Sequence, residues 1–99
     1  MVSLDGKIAL VTGAARGIGR AISEKIAMEG ADLILCDLDK DWLEDTAQAV
    51  KEYGRKSICC SVDVADGKAV DETVAKAVRL CGKIDVLVNN AGITKDTLL

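Results

Sequence analysis

The chain has 99 residues, 49% hydrophobic and 29% charged, with net charge −3 and no His, Pro or Phe. That length gives room for one domain at most, burying roughly two-thirds of its unfolded surface. Without imidazole, Ser-His-Asp and Cys-His nucleophile systems and His-ligated metals are excluded, while two aromatics and interspersed charges leave neither a stacking platform for nucleic acid nor a basic patch for anionic lipid.

In chain order, the first apolar run is residues 7–12 (Lys-Ile-Ala-Leu-Val-Thr). The others are residues 32–37, 57–62 and 84–89, each short and rich in Val, Ile, Leu or Cys. Runs apolar at nearly every position suit parallel strands buried on both faces. The third run alternates more, which places it nearer a sheet edge. Between the runs lie three segments of helical period. Ile18, Ala21, Ile22 and Ile26 mark the first, stopped by Gly30. Leu43, Ala47 and Val50 mark the second, stopped by Gly54. Val70, Val74, Ala77, Val78 and Cys81 form the clearest stripe, with Asp66 as N-cap and Gly82 as stop. Strands separated by helices need right-handed crossovers, so the expected fold class is α/β with a parallel sheet.

The first strand runs into Thr12-Gly13-Ala14-Ala15-Arg16-Gly17-Ile18-Gly19, and a helix follows at once. Glycine costs backbone entropy and belongs where a side chain cannot fit. Here it permits close approach of backbone to a ligand, or of helix to strand. The free N–H groups and partial positive charge of the helix N-terminus suit a diphosphate. The spacing Gly-x-x-x-Gly-x-Gly is a variant of the Gly-x-Gly-x-x-Gly dinucleotide turn.

Asp37 ends the second strand, eighteen residues beyond Gly19. In a βαβ dinucleotide unit, an acid about 20 residues beyond the glycines hydrogen-bonds the adenosine ribose. A carboxylate beside a 2′-phosphate costs on the order of 4 kcal/mol at 4 Å and an effective dielectric of 20. Asp37 therefore favours NAD over NADP, while Arg16 argues the other way. Asp63-Val64 closes the third strand and Asn89-Asn90-Ala91-Gly92 the fourth. Ligands of open α/β sheets bind outside the carboxyl ends of strands. There Asp63 can accept from an adenine amino group, and Asn90 and Gly92 can hold backbone near the nicotinamide half.

The N-terminus has no basic and apolar leader pattern, and no apolar run is long enough to cross a membrane. Cys36, Cys59, Cys60 and Cys81 form no Cys-x-x-Cys pair. They are expected as reduced, buried small hydrophobes of a cytoplasmic protein, with no metal site.

Thr12-Gly13-x-x-x-Gly17-x-Gly19, Asp63-Val64 and Asn89-Asn90-Ala91-Gly92 together resemble the N-terminal half of the short-chain dehydrogenases/reductases, over nearly the whole chain. Residues 6–13 and 90–99 look most like the 3-oxoacyl-[acyl-carrier-protein] reductases of fatty-acid synthesis. The resemblance implies a partial Rossmann-type doubly wound sheet with strand order 3-2-1-4. It implies a homo-oligomer, usually a tetramer. The implied reaction is hydride transfer between NAD(P)H and a ketone such as a 3-oxoacyl thioester on acyl carrier protein or CoA. The expected cofactor set is Gly13, Ala14, Ala15, Arg16, Gly17, Ile18, Gly19, Asp37, Leu38, Asp63, Val64, Asn90, Ala91 and Gly92. NADPH-using relatives often carry a neutral or basic residue at the position of Asp37, so NAD is the expected cofactor and NADP the second choice.

The family's chemistry uses an Asn, a Ser and a Tyr-x-x-x-Lys lying beyond the Asn-Asn-Ala-Gly segment. Tyr53 is followed four residues later by Ser57 and cannot supply that motif. It is expected to close the second helix against the sheet. Residues 1–99 are thus expected to be a truncated dinucleotide-binding half with no assigned catalytic residue. The alternative is a stand-alone nucleotide-binding or assembly module without catalysis. A phosphoacceptor signalling domain shares the strand–helix alternation, but it wants an acidic cluster after strand one, where glycines stand.

Overall fold

A computed structural model describes residues 3–90. The four apolar runs become β1 (Ile8–Thr12), β2 (Asp32–Asp37), β3 (Ser57–Ser61) and β4 (Val86–Asn89). They pair in parallel in the order β3-β2-β1-β4, as the sequence predicts. The more alternating third strand does lie at an edge. Between the strands run α1 (Gly17–Met28), α2 (Glu44–Glu52) and α3 (Gly67–Cys81), with a 3₁₀ turn, Lys40–Leu43, leading into α2. No described helix is long and apolar enough to cross a membrane.

Strand residues alternate between two cores. Ala9, Val11, Leu33 and Leu35 pack with Ile26, Ala27, Leu43 and Val50 on the α1/α2 side. Leu10, Ile34, Cys36 and Cys60 pack with Ala77 on the α3 side. Helices on both faces explain why β1 and β2 are apolar at nearly every position. β4 starts two residues later than its apolar run. Asp85 stands at its mouth, where its backbone N–H donates to the Ile8 carbonyl and its carboxylate accepts the Ile8 N–H, each at 2.8 Å.

Asp66 caps α3 as expected, its Oδ1 accepting from Lys68 and Ala69 N–H at 3.1 and 3.2 Å. Gly82 closes that helix in the left-handed region, at φ 87°. Three expectations need correction. The buried face of α1 is Gly19, Ser23, Ile26 and Ala27, whereas Ile18 is 67% exposed and Ala21 is exposed. Contact of Gly19 with the turn before the helix sets the rotation, overriding the apolar stripe. The α3 stripe buries only Ala77 fully; Val74 and Val78 are exposed, and Leu87 of β4, on the same side of the sheet, is 67% exposed. Tyr53 sits at the α2 C-cap but is 45% exposed, so it does not close the helix onto the sheet. Of the cysteines, Cys36 and Cys60 are buried while Cys59 and Cys81 are half-buried, and all four are free thiols.

Candidate functional site

The carboxyl ends of all four strands converge on a cleft of about 370 Å³, toward the lower end of the roughly 300–1,000 Å³ usual for small-molecule sites. Its near wall is the turn between β1 and α1. Gly13 and Gly17 take φ of 64° and 59° there, a region that side chains rarely adopt. Gly19 is required for a different reason. A Cβ on it would collide with the Gly13 carbonyl and lie 2.8 Å from Asn90 Nδ2.

The turn is held from three directions. Ala14 N–H donates to the Cys36 carbonyl at 3.0 Å. Ala15 N–H donates to Asp37 Oδ2, also at 3.0 Å. The buried Thr46 hydroxyl donates to the Ala14 carbonyl at 2.9 Å. From β4, Asn90 N–H donates to Thr12 Oγ1 at 2.9 Å and Asn90 Nδ2 donates to the Gly13 carbonyl at 3.4 Å. This lacing fixes the end of β4 against the glycine turn.

The N-terminus of α1 differs from those of the other helices. Its N-cap, Arg16, makes no side-chain cap bond, and its first turn holds no acid. α3 is capped by Asp66, and α2 carries Glu44 and Asp45 in its first turn. The first N–H groups of a helix have no intrahelical partner and favour an anion.

Asp37 stands across the cleft. Its Oδ1 accepts the Leu38 N–H at 2.8 Å and its Oδ2 the Ala15 N–H. A carboxylate has about four acceptor sites, so each oxygen keeps one for a ligand hydroxyl. The Arg16 guanidinium lies 5.0 Å over the Trp42 ring, a cation–π contact that draws it onto the cleft wall. Asp63 turns one oxygen, Oδ1, back onto the Ala65 N–H at 2.9 Å.

Of the residues singled out from sequence, Gly13, Arg16, Asp37, Leu38, Asp63, Val64 and Asn90 line the cleft. Ala14 and Ala15 are buried behind the turn, Gly19 packs beneath it, and Gly17 opens α1. Ile18 is exposed and is not among the residues lining the cleft. Ala91 and Gly92 lie outside the described residues. Thr12, Cys36, Val62 and Trp42 also line the cleft and were not singled out as site residues. The signal for Trp42 was available: a lone tryptophan among charged residues, five positions beyond Asp37.

A parallel sheet covered on both faces, with a glycine turn running into a helix at the switch between β1 and β4, defines a Rossmann-type α/β protein. A family model described as short chain dehydrogenase matches residues 7–99, and the chain belongs to that family. It is 46% identical over 99 residues to the 3-oxoacyl-[acyl-carrier-protein] reductase FabG of Vibrio harveyi, covering 99% of this chain and 39% of that protein. It is 40% identical over 96 residues to the 2,3-dihydro-2,3-dihydroxybenzoate dehydrogenase of Bacillus subtilis, covering 97% and 37%. Among solved structures, the carveol dehydrogenase of Mycobacterium avium in complex with NAD superposes with a TM-score of 0.86 at 34% identity, covering 94% of this chain and 38% of that one. The chain thus spans little more than a third of the length of these relatives.

Proposed function

We propose that residues 1–99 form the dinucleotide-binding half of a short-chain oxidoreductase that moves hydride between a nicotinamide cofactor and a ketone. The observation that carries this reading is the Asp37 carboxylate facing an uncapped, acid-free helix N-terminus across one cleft. The helix end suits the diphosphate, and Asp37 suits the hydroxyls of a ribose. Gly13, Ala14, Ala15, Gly17 and Ile18 would border the diphosphate, with Gly19 keeping the turn close to the helix. Leu38, Asp63 and Val64 would border the adenine, and Asn90, Ala91 and Gly92 the nicotinamide half.

NAD is preferred in this reading because a 2′-phosphate would face the Asp37 charge, while Arg16 is drawn onto Trp42. The carveol dehydrogenase bound to NAD supports the same choice. When bound, the nicotinamide supplies the hydride acceptor or donor. The chain's own residues hold and orient it. A 3-oxoacyl thioester on acyl carrier protein or CoA is the proposed substrate class of the whole enzyme, supported by the similarity to the FabG reductases. A homo-oligomer is proposed on the same family grounds. The cytoplasm is the proposed setting, since free thiols are the state a reducing compartment maintains.

Calorimetric titration with NAD and with NADP tests the reading. It expects NAD to bind more tightly, and tighter NADP binding or no binding of either would overturn it.

A further inference from the structure

Cys36 of β2 and Cys60 of β3 are partners in the sheet register. Adjacent strands lie about 4.8 Å apart, within the Cα separations that a disulfide spans. Both side chains face α3, in the same core cluster. The register sets the two thiols side by side on that face. Cys60 also borders a second cleft of about 380 Å³ beside α3, which Lys40 and Lys76 line. Cys60 itself is 6% exposed, and Cys59 and Glu72 border the same cleft.

The neighbouring Cys36 thiol holds the Cys60 pKa below its ordinary value, outweighing burial, and the two ammonium groups add to it. The same pairing, with burial, pushes the Cys36 thiol up. Cys59 and Cys81 have no cysteine register partner, and burial pushes both thiols up.

We infer that Cys60 and Cys36 form a hydroperoxide-responsive thiol pair, Cys60 attacking and Cys36 resolving. The Cys60 sulfur attacks one peroxide oxygen. An S–O bond forms, the O–O bond breaks, and the departing oxygen leaves as hydroxide or alkoxide and takes a proton from water. Sulfur loses two electrons and the peroxide gains them, giving a sulfenic acid. The Cys36 sulfur then displaces that hydroxyl. The S–S bond forms, the S–O bond breaks, and water leaves with the Cys36 proton. Cys36 also lines the first cleft, so the bridge forms in its wall.

The test treats the full chain with equimolar hydrogen peroxide, blocks free thiols by alkylation, and maps non-reduced peptides by tandem mass spectrometry. The expected product is a Cys36–Cys60 link that dithiothreitol reverses, with Cys59 and Cys81 recovered alkylated. The link persists in Cys59→Ser, which separates the neighbouring positions. In Cys36→Ser, dimedone labels Cys60. The wild-type map stands without any variant, so a Cys36→Ser chain that fails to fold does not shelter the proposal. Oxidation of Cys59 or Cys81 ahead of Cys60, or recovery of all four thiols alkylated after peroxide, overturns it.

Discussion

The Asp37 carboxylate accepts the backbone N–H of Ala15 at 3.0 Å, joining the end of β2 to the glycine turn after β1. One side chain thus both shapes the turn and presents charge to the cleft. Asp37→Asn keeps an acceptor for Ala15 and removes the charge. It is expected to cut the preference for NAD over NADP by about tenfold or more, roughly 1.4 kcal/mol. Paired calorimetric titrations measure the ratio, and an unchanged ratio removes the discriminating role from Asp37.

Gly19→Ala places a methyl against the Gly13 carbonyl and the Asn90 amide. Backbone and a laced side chain cannot give way cheaply, so a loss of about 1–3 kcal/mol is expected, as for other overpacked sites. Gly67→Ala is the contrast, with nothing within 4 Å of its new Cβ and no left-handed φ. It is expected to gain about 0.4–1 kcal/mol by restricting the unfolded chain. Urea unfolding of the two variants should move in opposite directions.

Trp42 is the chain's only tryptophan and lines the cleft with Arg16 stacked on it. Its emission should therefore change as NAD is titrated. Trp42→Ala removes a contact worth about 0.5–1 kcal/mol at an exposed site and releases Arg16. The released guanidinium can meet a 2′-phosphate, so NADP affinity should rise relative to NAD. Equal losses for both cofactors would show that Trp42 only walls the cleft.

Acid should unfold the chain through two aspartates. Burial alone would raise the Asp32 pKa, but the Lys56 N–H and the Arg55 guanidinium, at 3.0 and 3.1 Å, outweigh it and hold it below the ordinary aspartate value. Asp85 is held low chiefly by the Ile8 N–H, against an opposing desolvation, with Lys83 adding to the lowering. A carboxyl whose folded pKa is depressed stabilises the fold above its unfolded value, near 3.9, and loses that contribution as pH falls through the folded one. Unfolding midpoints should hold steady from neutral pH to about pH 5 and drop below about pH 4. Asp32→Asn should flatten that acid limb.

Local pattern made much of this molecule readable. β2 has the ends its sequence predicts because nearly every residue in it is buried and Asp37 stops it at the cleft. Asp66 and Gly82 delimit α3 through cap chemistry that needs no tertiary partner. The misreadings came where distant contacts decide. The rotation of α1 follows the Gly13–Gly19 approach rather than Ile18 and Ala21. Trp42 joins the site only because a 3₁₀ turn after β2 folds it toward Arg16. The thiol contact between Cys36 and Cys60 depends on strand register, which spacing along one chain does not specify.

The Thr12–Asn90 hydrogen bond joins residues 78 apart in the chain. Long-range closures cost entropy before they return contacts, and synthesis proceeds from the N-terminus at about 5–20 residues per second. Three strands and three α-helices exist before β4 reaches β1. The cleft is therefore completed only after β4 has been made, and a nascent chain acquires any affinity for a nucleotide only when Asn90 locks against Thr12.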